Sequence, residues 1–255
     1  MIIIYLETFL LSLVQGISEF IPVSSSAHLI IISQLSNFET NSLEIDISLH
    51  LGSLAGIIFY FREELINILK NKNLALLIFI GSLPLIIVGF IIYQTGLISY
   101  LRNIKIIAWT TLIFGILLFY ADKFKIKKNI DNDLTLKNIL FIGFFQILAL
   151  IPGVSRSGIT ITASRLLNFD RYDSSKIAFL LSVPALMGAS LLSLKDIWNL
   201  GFNFSLLVIF SALSSFIFSY LTIKYFLIYI RKFTLSIFVI YRILLSLFLF
   251  LIIYL

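Results

Sequence analysis

Within QGISEFIPVSSSAH (15–28), a carboxylate (Glu19), three consecutive hydroxyls (Ser24, Ser25, Ser26) and an imidazole (His28) share one short run. A second run, PGVSRSGIT (152–160), sets Ser155, Ser157 and Thr160 around one guanidinium, Arg156. A hydroxyl next to an acid or an imidazole supplies a nucleophile with its base. Arginine among hydroxyls suits phosphate oxygens, because its planar fork donates two parallel hydrogen bonds. The two runs together read as an anion site with an acid/base pair beside it. Each residue also has a plain reading: a serine run caps a helix, a lone histidine bonds a carbonyl, and Arg156 is a counter-ion to Glu19. Their surroundings decide between these readings.

Those surroundings are apolar. Of 255 residues 60% are hydrophobic and only 13% are charged, against ~25% charged in an ordinary soluble domain. The mean hydropathy is +1.06. Such a chain reads as an all-α polytopic membrane protein of one integral domain, 1–255, since helices satisfy their backbone groups where water is absent. The formal net charge of +6 is assigned to cytoplasmic loops rather than to a nucleic-acid partner. Without cysteine, disulfides and thiolate metal sites are excluded. The opening MIIIYLETFLLSLVQG has neither a basic start nor a small-residue cleavage site, and is not read as a removed signal peptide.

Six apolar runs, at about 47–61, 74–93, 104–121, 177–194, 204–223 and 233–254, are long enough to cross ~30 Å of hydrocarbon with some tilt. Two further regions, 2–35 and 138–167, are interrupted by proline and serine. If each is a hairpin that returns to the side it entered, the Lys/Arg count of the loops is 14 on one side and 3 on the other. If 138–167 crosses instead, the count becomes 9 against 8. The asymmetry of basic loops favours hairpins, with both termini outside. Glu19, His28 and Arg156 all fall in the two hairpins and none in the six runs, and ionisable groups at that depth are costly and functional by default.

The hairpins also resemble each other. LVQGISEFIPVSSSAHLII aligns with FFQILALIPGVSRSGITIT: Gln15 matches Gln146, Ile21-Pro22 matches Ile151-Pro152, and serine clusters follow. The expected architecture is an inverted-topology repeat, with halves at about 1–121 and 134–255, six transmembrane helices and two re-entrant helical hairpins. Such folds place their site near the bilayer midplane, where broken helices meet. Elsewhere, His50 reads as packed or hydrogen-bonded, Glu7 as reaching water, and Arg242 as snorkelling or pairing inside the bundle.

QGISEFIPVSSSAH and PGVSRSGIT resemble the two signatures of the undecaprenyl-diphosphate phosphatases, the bacitracin-resistance family. The similarity continues through LHLGSLAGIIFYFRE, KIAFLLSVPALMGAS and IYRIL, nearly the whole chain. The resemblance implies a bacterial cytoplasmic-membrane enzyme that removes the terminal phosphate of a polyprenyl diphosphate and recycles the lipid carrier of the cell wall. It also implies a divalent cation, Mg2+ or Ca2+, with Glu19 as candidate ligand. The family's first motif carries Glu or Gln, three residues, then Glu; here these are Gln15 and Glu19, one amide and one acid.

The expected mechanism is phosphoryl transfer, mostly positioning and charge stabilisation. Ser25 attacks and His28, three residues on, handles its proton, or His28 activates water directly. Glu19 holds the cation or orients His28. Arg156 clamps the transferring oxygens, with Gln15, Ser24, Ser26, Ser155, Ser157 and Thr160 as substrate-binding groups. The rival is a polyprenyl-phosphate transporter or flippase, for which Arg156 would serve equally well and a nucleophile would be superfluous. The site is expected to open outward, beside the acidic segment 39–46. The lipid tail would lie among membrane lipids, and a homodimer is left open.

Overall fold

The computed structural model describes residues 2–35, 38, 43–70, 72–200 and 205–254. Among these the chain is helical: α1 (Ile2–Ser18), α2 (Ser25–Leu35), α3 (Leu43–Tyr60), α4 (Arg62–Lys70), α5 (Lys72–Thr95), α6 (Ile98–Leu101), α7 (Ile104–Asp122), α8 (Ile130–Asp133), α9 (Leu136–Ile147), α10 (Arg156–Leu166), α11 (Arg171–Leu200), α12 (Leu206–Ile230) and α13 (Ser236–Tyr254). Six of them, α3, α5, α7, α11, α12 and α13, are long and apolar enough to cross a membrane. They coincide with the six runs read from hydropathy. The acidic segment expected at the outer opening falls partly outside the described residues, at 39–42.

Helix starts follow side-chain oxygens. Asn103 caps α7 through Lys105 N–H at 2.8 Å, and Asn129 caps α8 through Asn132 N–H at 2.9 Å. Each accepts a bond that the first turn cannot make internally. The interruptions fall at the prolines, which remove a donor and clash with the preceding turn. α1 ends at Ser18, ahead of Pro22, and α9 passes through a 3-10 turn at Leu148–Leu150 ahead of Pro152. Gly153 then turns the chain at φ +91°, a backbone region that only glycine enters freely.

The two ends of the second broken segment lie close together. The end of α10 lies against the end of α7: Arg165 donates to the carbonyls of Asp122 and Phe124, and Arg171 grips the Asp122 carboxylate at 2.6 and 3.1 Å. Just ahead of α9, the Ile130 N–H donates to Asp173 at 2.9 Å, so the approach to the segment sits beside its exit. At the opposite end Leu29 and Ile32 of α2 pack with Leu11 of α1 and with the starts of α3 and α12.

The bundle is held by close approach rather than by apolar bulk, since lipid tails are as apolar as leucine. α3 and α12 meet along a polar seam. Ser48 bonds Ser211, Ser53 lies 3.1 Å from Ser215, and Ser219 donates to Ser53 at 3.0 Å. Gly143 of α9 presses on the Gly81 carbonyl of α5, where a Cβ would collide. The packing is also reciprocal between halves. α1 lies on α12 as α9 lies on α5, while α3 meets α11 and α7 meets α13. Beneath the first broken pair, Phe20 and Phe61 are buried edge-on against Phe179, with ring centroids 5.7 and 6.1 Å away. This apolar floor supports Glu19. Glu7, expected at water, is instead buried, because α1 packs on α12.

Candidate active site

The two interruptions produce tips of one design. Ser24 and Ser155 both adopt left-handed backbone, at φ 81° and 72°, which is unfavourable for a residue with a Cβ. Each is secured by its own side chain. Ser24 Oγ accepts from Ala27 N–H at 3.4 Å and Ser155 Oγ from Gly158 N–H at 3.1 Å. Each also lies near the serine two residues on, Ser26 at 3.3 Å and Ser157 at 3.2 Å. The next residue opens a helix in each case: Ser25 begins α2 and Arg156 begins α10. Strained backbone of this kind persists only where the surroundings over-determine it, and it clusters at functional sites.

Glu19 joins the two tips. Its Oε1 accepts from Arg156 Nη2 at 2.8 Å, and its Oε2 accepts from Ser25 Oγ at 2.5 Å and from Gln15 Nε2 at 3.1 Å. The carboxylate is buried, with the Arg156 side chain 14% exposed. Arg156 Nη1 is buried and has no hydrogen-bond partner among the described residues. A guanidinium with one arm on an acid and the other unpaired, beside a hydroxyl on the same acid, is arranged to receive an anion. The N-termini of α2 and α10 add their free N–H groups and positive dipole ends to that arrangement.

The structure brings Gln15, Glu19, Ser25 and Arg156 together, and corrects the pairing expected of His28. In the neutral ring Nδ1 donates to the Ser24 carbonyl at 2.6 Å, so Nε2 accepts, from Tyr241 Oη at 2.5 Å. The acceptor on Ser25 is therefore Glu19. Sharing a helix face with Ser25 does not turn the imidazole toward it, because the Ser24 carbonyl one turn back captures the ring. Glu19 likewise orients Ser25 rather than His28.

The other hydroxyls stabilise the tips. Ser157 Oγ donates to the Ile21 carbonyl at 2.9 Å, tying one tip to the other. Thr160 is fully buried and donates to the Arg156 carbonyl at 2.7 Å, so its hydroxyl is spent within α10 and is not offered to a ligand. Ser26 is exposed at the opening. Two site residues escaped the sequence reading. His50 Nδ1 accepts from Gln15 Nε2 at 3.0 Å, and Tyr241 bonds His28. Both come from distant helices; the only sequence signal was a histidine and an arginine-flanking tyrosine inside apolar runs.

As for a divalent cation, no group of three or more His, Cys, Asp or Glu side chains converges among the described residues. Both hydrogens of Gln15 Nε2 are used, and its Oε1 is buried without a partner. One carboxylate and one orphaned amide oxygen would be the protein's share of a hard-cation site there. That suffices where substrate phosphates supply the remaining ligands, as is usual for Mg2+.

Comparison with known proteins adds what geometry alone does not. The profile described as bacitracin resistance protein BacA matches residues 8–248. The chain belongs to that family. It is 58% identical over 250 residues, 98% of either chain, to a protein of Pelagibacter ubique (strain HTCC1062) named undecaprenyl-diphosphatase. Proteins of the same name from Elusimicrobium minutum (strain Pei191) and Chromohalobacter salexigens share 42% and 38% identity. The match covers 92% of both chains in the first case, and 95% of this chain and 96% of its relative in the second. The matched span of the family contains every residue of the site, from Gln15 to Tyr241.

Proposed function

We propose that this multi-pass membrane protein hydrolyses undecaprenyl diphosphate to undecaprenyl phosphate and inorganic phosphate. The observation that carries this reading is the Glu19–Ser25–Arg156 cluster, in which a hydroxyl and a half-unpaired guanidinium share one buried carboxylate, in a member of a family whose relatives bear that enzyme name. A transporter of polyprenyl phosphate has no use for a hydroxyl held 2.5 Å from a carboxylate.

In this reading Arg156 Nη1 and the N–H groups opening α2 and α10 bind the terminal phosphate. Ser25 Oγ attacks phosphorus as its proton passes to Glu19. The bond to the bridging oxygen breaks and the lipid monophosphate leaves, its charge already stable without a proton. Water then cleaves the phosphoseryl group; His28 Nε2, which already accepts from a hydroxyl, takes the proton of that water, and Glu19 returns the proton to Ser25. A divalent cation would be held by Glu19 and the Gln15 amide oxygen, and when bound it neutralises charge on the diphosphate oxygens. Ser24, Ser26, Ser155, Ser157 and Thr160 shape the tips that bind the substrate.

The chain is an inverted-topology repeat in this reading, with the two broken pairs as re-entrant hairpins and the site facing outward from a bacterial cytoplasmic membrane. The matching tips, the reciprocal packing and the 14-to-3 division of basic loop residues support it. A groove of about 470 Å³ walled by Ile17, Ile21, Leu221, Tyr225 and Phe238 includes a residue of the first broken segment and suits a polyprenyl chain. The basic surplus belongs to the inner loops rather than to a nucleic-acid partner, and a homodimer is the assembly to seek by mass in detergent. The test is phosphate release from purified protein given a polyprenyl diphosphate, with and without chelator. Release that chelator suppresses is expected; no release from folded protein supplied with Mg2+ or Ca2+ overturns the reading.

A further inference from the structure

Arg242 lies in the middle of α13 with none of its surface exposed. Among the described residues it makes no ion pair. A buried guanidinium without an acid is costly unless its donors are matched. Here each of its three nitrogens donates, and to backbone carbonyls alone. Nη1 donates to Pro22 at 3.2 Å and to Val154 at 3.0 Å, Nη2 to Gly153 at 2.9 Å, and Nε to Thr111 at 3.2 Å.

The identity of those carbonyls matters. Pro22 belongs to the first tip, two residues before the left-handed Ser24. Gly153 and Val154 belong to the second, just before the left-handed Ser155. One nitrogen, Nη1, thus holds both tips, and α7 holds the base of the fork through Thr111. Turn carbonyls at membrane depth must find donors somewhere, and a donor shared by both turns also fixes their separation. The residues that follow these turns are Ser25 and Arg156, the two groups that meet on Glu19.

We propose that Arg242 is a positioning residue for phosphoryl transfer: it fixes the two tips relative to each other, and so sets Ser25 and Arg156 at their working distance on Glu19. This rests on the function proposed above. Lysine keeps the charge but concentrates its donors at one point, and cannot reach Pro22, Gly153 and Thr111 together.

Two variants test it. In Arg242→Lys, kcat per folded molecule should fall roughly 10²-fold, the effect of an ångström-scale misplacement, while KM changes by less than about 3-fold because Arg156 still meets the phosphate. The second variant, Gly115→Ala, lies on α7 and touches no site residue. Its Cβ would stand 3.1 Å from Arg242 Cβ and 3.4 Å from Nε, displacing the fork slightly in a helix that alanine otherwise favours. There kcat should drop about 3- to 10-fold by the same misplacement, with the melting temperature undiminished. A purely structural role would lower the melting temperature and leave kcat per folded molecule intact. Full kcat in folded Arg242→Lys overturns the proposal; if that variant does not fold, full kcat in Gly115→Ala does so. Wild-type protein without turnover on polyprenyl diphosphate would instead overturn the function, and this assignment with it.

Discussion

Replacing Glu19 by glutamine separates the acid's chemical role from its structural one. The side chains are the same shape, but an amide has one acceptor and one donor where the carboxylate has two acceptors. In the structure all three partners of Glu19 donate: Arg156 to Oε1, Ser25 and Gln15 to Oε2. The amide oxygen can replace Oε2 and keep two neutral bonds, leaving its nitrogen facing the guanidinium. The reverse orientation keeps Arg156 and sets donor against donor at Gln15. Either way one hydrogen bond to the former carboxylate charge is lost, worth about 1.5–3 kcal/mol, so the variant should remain folded with a lowered melting temperature. The kinetic effect should be larger. Ser25 loses the only charged acceptor on its hydroxyl, and loss of a base costs ~10²- to 10⁴-fold in kcat, about 2.7–5.4 kcal/mol of barrier. Affinity should move the other way, because in either orientation Arg156 loses the negative charge that neutralises it: inorganic phosphate should inhibit the variant at lower concentration than wild type. The assay is steady-state phosphate release in detergent with a phosphate-inhibition series. A folded Glu19→Gln enzyme within about 3-fold of wild-type kcat, a margin far inside the loss expected for a missing base, would refute Glu19 as the base on Ser25.

Arg156→Lys should fold and lose most of its turnover, since lysine cannot hold Glu19 and a phosphate oxygen at once as a planar fork does; unchanged kcat would remove Arg156 from the phosphate clamp. Gln15→Glu places a second acid against Glu19 and should tighten Mn2+ binding measured by calorimetry while retaining turnover; weaker binding would show that the amide oxygen is not part of the cation's environment. For orientation, the chain has no cysteine, so single cysteines report cleanly. Cysteine at Asn103 should react with an impermeant reagent outside intact cells, and cysteines at Asn129 and Lys232 should not. Labelling of Lys232 but not Asn129 from outside would make 138–167 a full crossing. Ser174, a natural choice by sequence, is fully buried and its silence would carry no information; Asn41 and Asn71 lie outside the described residues.

The spans and both interruptions were legible because hydropathy and proline act locally, along the chain. The similarity of the tips was legible too, since each has Ile-Pro followed by a serine cluster, although Ser24 stands two residues after its proline and Ser155 three. The partner of Ser25 was not. It depends on the left-handed turn at Ser24, which swings the chain back so that a residue six positions earlier becomes its acceptor, and no side-chain periodicity encodes that reversal. His28 was read by helical spacing, yet the Ser24 carbonyl and Tyr241 fix its ring. Thr160 could have been read better: a threonine inside a helix commonly bonds back one turn, and this one does. His50 and Arg242 reach the tips from 35 residues after Gln15 and 220 residues after Pro22. Composition and spacing showed only the expense of a polar group within an apolar run, and the resemblance through LHLGSLAGIIFYFRE and IYRIL gave neither residue a role.

The two tips share a left-handed serine turn but differ in the residue that begins each helix, serine in one and arginine in the other, and Glu19 and His28 give way to Leu150 and Ile159 in the second. Had both kept serine, the chain would carry two nucleophiles and no clamp; had both kept arginine, two clamps and nothing to attack. In the proposed repeat, divergence at these equivalent positions gives the site a handedness its frame lacks. A diphosphate has unlike ends, one terminal and one bearing lipid. Only one of its two orientations presents the terminal phosphorus to Ser25 while its oxygens lie on Arg156. In the proposed mechanism the cradle therefore reads its substrate in one direction, and exchanging the residues at 25 and 156 would ask whether that direction can be reversed.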